Sequence, residues 1–182
     1  MWQKCLLLGL ALSFTAAANA KLCCGVTVDG QALEGRYSLG AVLDGSLAAQ
    51  RAADEILAGD AVRPRLRRHY RLSFSPPQGS GAELSDALLR HYEGVAVTDG
   101  VYVDGERLGA VTDGDELRAR LESFILRQLP SWAVAGEISG KLELQRQYSR
   151  ADRVTDTEDM LLLISGVAPV NYTDGKGYTS WA

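Results

Sequence analysis

The sequence predicts an α+β fold built from two tandem repeats, each with the order strand, strand, helix, strand, helix, strand. Two observations predict it. The segment GVTVDG at 25–30 recurs 75 positions later as GVYVDG at 100–105. An apolar stripe at helical spacing, and then a strand of alternating polarity, follow each copy. Because hairpin-type links favour antiparallel pairing, we expect antiparallel sheets with helices packed on one face.

Further matches extend the repeat along the chain. GAVLDG at 40–45 matches GAVTDG at 109–114, and LRRHY at 66–70 matches LQRQY at 144–148. Since these matches keep the same order, we interpret the chain as a tandem duplication.

Each repeat is expected to open with a β-hairpin. The Asp-Gly steps at 29–30 and 104–105 favour a two-residue type I′ turn, which needs positive φ at both central residues. The second strand is then expected from Gln31 to Val42 in repeat 1 and from Glu106 to Val111 in repeat 2.

The first helix of each repeat is indicated by an apolar stripe, which is thinner in repeat 1, where Gly59 is the expected stop. The stripe residues are Ala49, Ala52, Ala53, Ile56 and Leu57 in repeat 1, and Leu117, Leu121, Phe124 and Ile125 in repeat 2.

A shorter second helix is expected over Leu84 to Tyr92 and over Asp156 to Ser165. Thr155 and Glu158 have the spacing of a capping box before the latter helix. Returning strands are expected at 95–97 and 169–172.

Residues 1–20 read as a signal peptide. Lys4 precedes a short apolar core from Leu6 to Phe14, and Ala18-Asn19-Ala20 fits a cleavage site. The apolar run is shorter than the roughly 18 residues that a spanning helix needs. We therefore expect an exported protein, secreted or associated with the cell envelope, with no transmembrane span after cleavage; an uncleaved N-terminal anchor is the alternative. Repeat 1 would then occupy residues 21–94, and repeat 2 with a short tail residues 95–182.

Charge argues against nucleic acid as a partner. Removing the signal peptide takes away Lys4, which leaves 18 basic against 23 acidic residues, a net charge of −5. A nucleic-acid-binding domain is normally basic.

Cysteine use is sparse, with Cys23 and Cys24 adjacent after signal removal. Neighbouring Cα atoms lie about 3.8 Å apart, below the usual range for a disulfide. We expect intermolecular pairing, or two buried or mobile thiols at an unstructured start.

The strand of repeat 1 that contains LRRHY carries the most unusual pattern in the chain. Leu66, Tyr70, Leu72 and Phe74 alternate with a basic face. Such a face would attract polyanions; a solvated charged surface, or a sheet edge that charge protects from aggregation, are the alternatives. The equivalent face of repeat 2 is near neutral, so the repeat does not need these charges to fold. The candidate binding residues are Arg63, Arg65, Arg67, His69 and Arg71, against Lys141, Glu143, Gln145 and Gln147 in repeat 2.

No catalytic residues, metal or cofactor are predicted. The two histidines, His69 and His91, belong to neither an H-x-H nor an H-E-x-x-H motif. A thiol enzyme that uses Cys23 or Cys24, with one of these histidines as base, is the less favoured alternative.

The segments VYVDGERLGAVTD at 101–113 and TEDMLLLISGVAPV at 157–170 carry a resemblance to a known group. Most of residues 25–175 resembles the non-catalytic region upstream of lysostaphin-type zinc metallopeptidase domains in Gram-positive bacteria. The zinc motifs of those peptidases, H-x-x-x-D and H-x-H, do not occur in this sequence, so peptidoglycan cleavage is not carried over. The resemblance implies a non-enzymatic envelope module that binds a wall polymer or an envelope protein, or an accessory subunit of a separately encoded envelope peptidase.

Overall fold

The structure is a computed structural model that describes residues 20–176 and the backbone of residues 179–181. The chain divides after Glu93 into two compact units, unit 1 (1–93) and unit 2 (94–182). Helices and antiparallel sheets build both units, which confirms the predicted α+β class. Residues 1–19 of the predicted signal peptide lie outside the described residues. None of the described helices is both long and apolar enough to cross a membrane.

Unit 1 is a three-stranded antiparallel sheet with two helices. Its strand order is β2-β1-β3, so β1 is central. Burial alternates along the second half of β1, where Cys24, Val26 and Val28 are buried between partly exposed neighbours. The elements are β1 (Lys21–Val28), β2 (Gln31–Ala32), α1 (Leu39–Ile56), β3 (Leu66–Ser73) and α2 (Gly81–Leu89).

Unit 2 contains two three-stranded antiparallel sheets, ordered β5-β4-β7 and β6-β8-β9. The first has the same order of hairpin and third strand as the sheet of unit 1. One core cluster joins the first helix to both sheets, through residues such as Leu117, Val101 and Tyr172. The elements are β4 (Val95–Val103), β5 (Glu106–Val111), α3 (Gly114–Arg127), β6 (Ala135–Ile138), β7 (Leu142–Arg150), α4 (Thr157–Val167), β8 (Val170–Thr173) and β9 (Thr179–Trp181).

The two predicted hairpins are confirmed. Asp29 and Gly30 have φ of 48° and 90°, and Asp104 and Gly105 have φ of 51° and 83°. Each pair is the whole loop, because Val28 pairs with Gln31 and Val103 with Glu106. Positive φ at both positions is the geometry that Asp-Gly favours.

The predicted second strand of repeat 1, Gln31 to Val42, is wrong. Strand β2 ends at Ala32, and residues 39–42 are helical because the Ser38 hydroxyl caps α1, accepting from the Ala41 N–H at 3.0 Å. Its matched segment at 109–114 instead ends β5 and begins α3, where Asp113 is the N-cap. The matching segments 40–45 and 109–114 therefore adopt different structures, because the helix-capping residue precedes the first segment and lies within the second.

Three other expectations also need correction. Residues 95–97 begin β4 and pair with β7, so they are not a returning strand of repeat 1. Asp156 rather than Thr155 caps α4, accepting from the Glu158 N–H at 2.8 Å. The match of LRRHY with LQRQY is shifted by two residues, since Leu66 pairs with Val28 whereas Leu142 pairs with Val103. A shift of two keeps every side chain on its predicted face.

Candidate functional site

Strand β3 is the edge of its sheet, and its two faces carry different chemistry. Among the described strands it pairs with β1 alone. The backbone pair of Asp29 with Arg65 is hydrogen-bonded, at 3.0 Å, so residues 67, 69, 71 and 73 of β3 also direct their backbone groups toward β1. Residues 66, 68, 70 and 72 direct theirs toward the free edge. We call the side of the sheet that carries Arg67, His69 and Arg71 the basic face.

An open cavity of about 600 Å³ lies on the basic face. Arg65, Arg67 and His69 line it together with the hairpin residues Thr27, Asp29 and Gly30. His69 Nε2 lies 3.1 Å from the Thr27 hydroxyl, which places the ring over β1. Asp29 Oδ1 accepts from the Arg65 N–H at 2.9 Å, so this carboxylate ties the turn to the start of the third strand. The structure thus brings three of the five predicted binding residues to one cavity.

The arginines of the basic face form no ion pair with any residue that the structure describes, although the Asp29 carboxylate also lines the cavity. Within residues 20–176, no ion pair involves Arg65, Arg67 or Arg71. All three side chains are exposed. Guanidinium groups that are charged, exposed and unpaired are available to an anionic ligand.

Unit 2 shows what the same positions look like when they are neutralised. Asp104 repeats the role of Asp29, since its Oδ1 accepts from the Lys141 N–H at 2.8 Å. Lys141 and Glu143, the counterparts of Arg65 and Arg67, form an ion pair. The bond to Glu143 raises the pKa of Lys141 above its usual value. The two units therefore share the scaffold of the site and differ in its charge.

The remaining two predicted residues lie elsewhere. Arg71 is on the basic face opposite Cys23, beyond the described lining of the cavity. Arg63 precedes β3 and lines a different groove, so its predicted place on the face of this strand is wrong. The strand begins at Leu66, and so the alternation does not extend back to residue 63.

That second groove, which we call the α1–β3 groove, was not predicted. It encloses about 370 Å³ between α1 and the other side of β3. Its walls combine leucines with two arginines, and no ion pair of the described residues involves either arginine. The spacing of Leu39, Leu43 and Leu47 could have revealed it, had the helix been expected to start early enough. The groove is lined by Leu43, Ser46, Leu47, Gln50, Arg63, Pro64, Leu66, Arg68, Leu88 and Tyr92.

The two thiols lie in strand β1, in the interior of unit 1, so the expectation that they belong to an unstructured start is wrong. Cys23 and Cys24 are free and at most 1% exposed. Burial raises the pKa of Cys24, against smaller opposite effects of the His69 backbone and the Arg68 charge. A thiol nucleophile must be both accessible and ionised, so this environment argues against the thiol-enzyme hypothesis.

No group of three or more His, Cys, Asp or Glu side chains in the described part of the chain is placed to hold a metal ion. Comparison with known proteins adds no assignment: no protein-family model, curated protein or solved structure matches the chain.

Proposed function

We propose that this protein is an exported, non-enzymatic module of the cell envelope that binds an anionic wall polymer through the basic face of unit 1. One observation carries the proposal. Arg65 and Arg67 line an open cavity and form no ion pair with any described residue, whereas their counterparts Lys141 and Glu143 form an ion pair with each other. Export and envelope location rest on the signal-peptide pattern and on the resemblance described above.

A polymer of repeated phosphates suits this geometry better than a compact anion. The cavity is open, and Arg71 continues the positive charge along the strand past it. Arginine binds phosphate oxygens with two parallel N–H donors, and a strand places successive residues of one face about 6.6–6.8 Å apart. Contacts of this kind weaken steeply with salt because each releases condensed counterions.

The test measures retention of the full chain on immobilised wall teichoic acid over a series of salt concentrations. The triple variant R65S/R67S/R71S should lose retention at low salt without unfolding, because all three side chains are exposed. The control R51S/R107S/R118S removes three exposed arginines elsewhere and should retain binding.

Two outcomes would count against the proposal. One is an intact protein that does not bind the polymer at low salt. The other is an equal loss in both triple variants, which would indicate that overall charge, rather than the basic face, is responsible.

A second candidate function is that of an accessory subunit that binds an envelope enzyme through protein contacts. The α1–β3 groove favours it, because Leu43 and Leu47 are 46% and 51% exposed there. Exposed apolar side chains that line a groove are typical of protein-binding sites.

A further inference from the structure

We propose that the free edge of β3 and the α1–β3 groove together bind an extended segment of a partner protein, in which large apolar and acidic residues alternate. The inference goes beyond polymer binding and names the partner chemistry for the second candidate function. The segment would add to the sheet as a fourth strand, antiparallel to β3.

The outer edge of β3 has backbone groups available for pairing with another strand. Leu66, Arg68, Tyr70 and Leu72 direct their N–H and C=O groups away from β1, and no described strand pairs with them. An eight-residue edge strand with unpaired backbone groups is a template for another strand. In an antiparallel addition, the residues that bond to these four would place their side chains on the groove side of the sheet.

The side chains that the added strand places on the groove side would be apolar, because the residues they would contact there are apolar and exposed. Leu43 and Leu47 of α1 line the groove together with Leu66 of β3. Farther along the same side of β3, Tyr70 and Leu72 are 51% and 73% exposed. Arg68 stands between the apolar positions, where unit 2 has Leu144. The alternate residues of the added strand would lie on the basic face beside Arg67 and Arg71, where acidic side chains are complementary.

Unit 2 has an apolar strand layer that is not found among residues 20–93 of unit 1. Its core cluster joins Ile125 of α3 to Val170 and Tyr172 of β8, with Ile138 of β6 packed against it. The described residues 20–93 contain no counterpart of β6 or β8. A partner strand would cover part of the apolar surface that unit 1 leaves open.

The charges argue against two other occupants. A second copy paired through β3 would bring Arg67 and Arg71 of both chains onto one face, and like charges across strands are destabilising. The chain's own residues 1–20 contain no acidic residue that could complement the arginines.

The experiment titrates the full chain into a labelled ten-residue peptide of alternating glutamate and leucine, at nanomolar peptide and followed by fluorescence anisotropy. Saturable binding is expected. The variant L43S/L47S should weaken it at least tenfold, whereas L162S/L163S, which changes two exposed leucines of α4, should not. Hydrogen exchange at the amides of Arg68, Tyr70 and Leu72 should slow when the peptide is bound.

N-methylation of the peptide backbone provides a control that tests the strand pairing itself. N-methylation of the leucines blocks the amides that face β3 and should abolish binding. N-methylation of the glutamates blocks amides that face away and should leave most of it. Equal binding of both methylated peptides would overturn strand addition, as would equal binding of a lysine–leucine peptide.

Other occupants have their own signatures. If L43S/L47S abolishes binding to phosphatidylglycerol vesicles while the peptide does not bind, the groove is a membrane contact and the proposal fails. If the same variant abolishes self-association in sedimentation, the occupant is a second copy and the proposal fails. Retention on teichoic acid should be unchanged in L43S/L47S, so that failure here is distinct from failure of polymer binding.

Discussion

Cys23 and Cys24 are neighbours in β1, so their side chains point to opposite faces of the sheet, and both are buried. Cys23 Sγ lies 3.8 Å from the Ser75 carbonyl oxygen. Cys24 Sγ lies 3.4 Å from the Gly25 carbonyl oxygen, in the environment that raises its pKa. Both thiols should therefore behave as packing residues.

We expect Cys23 and Cys24 to react with Ellman's reagent much more slowly in the native protein than in urea, because burial blocks access and holds the Cys24 thiol protonated. The measurement uses a chain with Cys5→Ser, so that two thiols are counted. Fast labelling of the native protein at neutral pH, lost on His69→Ala, would instead revive the thiol-enzyme hypothesis.

The basic face shows how far residue-level prediction could go. Alternation assigned residues 65, 67, 69 and 71 to one face, and the strand register agrees. That inference was robust because side chains alternate with a period of two, so even a two-residue error in the match between repeats left the faces unchanged. The ion pair of Lys141 with Glu143 was not predicted as a contact, since the sequence alone does not show which neighbours meet.

At the scale of elements, α1 and α2 approach closely where two glycines face each other. A Cβ added at Gly45 would lie 2.6 Å from the Gly81 carbonyl oxygen and 3.1 Å from Leu84 Cβ. The first of these contacts involves backbone, which cannot move aside cheaply. The absence of a side chain at residue 45 therefore sets the distance between the helices.

We expect Gly45→Ala to destabilise the protein by about 1–3 kcal/mol, because the added methyl group overpacks this contact. Urea denaturation followed by circular dichroism measures the change. Gly40→Ala is the matched control in the same helix: its nearest neighbour would be Ser38 Oγ at 3.9 Å, so it should be neutral or stabilising by up to about 1 kcal/mol. Similar effects of the two changes would contradict the close approach.

The start of α2 has a capping box that gives a pH dependence. The Ser80 N–H donates to Glu83 Oε2 at 2.8 Å, and Ser80 Oγ accepts from the Glu83 N–H at 3.2 Å. The hydrogen bond from the Ser80 backbone lowers the pKa of Glu83, and the Ser80 hydroxyl adds to the effect. Because the pKa of Glu83 is lower in the folded than in the unfolded protein, the charged carboxylate stabilises the fold at pH values above the unfolded pKa of about 4.3. This stabilisation is lost as the pH falls through the folded-state pKa.

We therefore expect the wild-type protein to be more stable than Glu83→Gln at pH 6, with the difference shrinking as the pH falls below about 4.3. Urea denaturation at a series of pH values measures it. On a Ser80→Ala background the pH-dependent part of the difference should become smaller but persist, since alanine keeps the backbone N–H that donates to Glu83 Oε2 and only the contribution of the hydroxyl is lost. A difference that does not vary with pH would argue against the capping box.

Elements were predicted well where a turn or stripe was strong, and poorly where a cap decided the outcome. The Asp-Gly hairpins and the stripe of Leu117, Leu121 and Ile125 are confirmed. The second strand of repeat 1 was wrong because Ser38 begins a helix inside a segment that matches a strand elsewhere. Strand β6 was missed because its four residues include Gly136 and Glu137 and form no clear apolar pattern.

At the scale of the molecule, charge is distributed unevenly between the two units. Residues 21–93 carry nine Lys and Arg against nine Asp and Glu, whereas residues 94–182 carry nine against fourteen. All of the net negative charge of residues 21–182 thus belongs to unit 2. The basic face lies in unit 1, which has no net charge over residues 21–93 and therefore repels a polyanion less than unit 2 does. Long-range electrostatics thus favours the approach of a polyanion to unit 1.

This distribution predicts how separated fragments should behave. The core cluster of unit 2 lies wholly within residues 94–182, so that fragment should unfold cooperatively on its own. The fragment 21–93 is near the lower size limit for independent folding, but it contains every residue of the basic face and both walls of the α1–β3 groove.

We expect residues 21–93, where circular dichroism shows them folded, to be retained on teichoic acid at low salt, and residues 94–182 to pass through. The physical reason is local: Lys141 and Glu143 form an ion pair at the positions where Arg65 and Arg67 form none with the residues that the structure describes. Replacing Glu143 by Arg in residues 94–182 tests that reason directly, because it breaks the ion pair and restores two adjacent cations on the same scaffold. Gain of retention would show that charge at these two positions suffices, whereas strong retention of unaltered residues 94–182 would contradict the assignment of the site to unit 1.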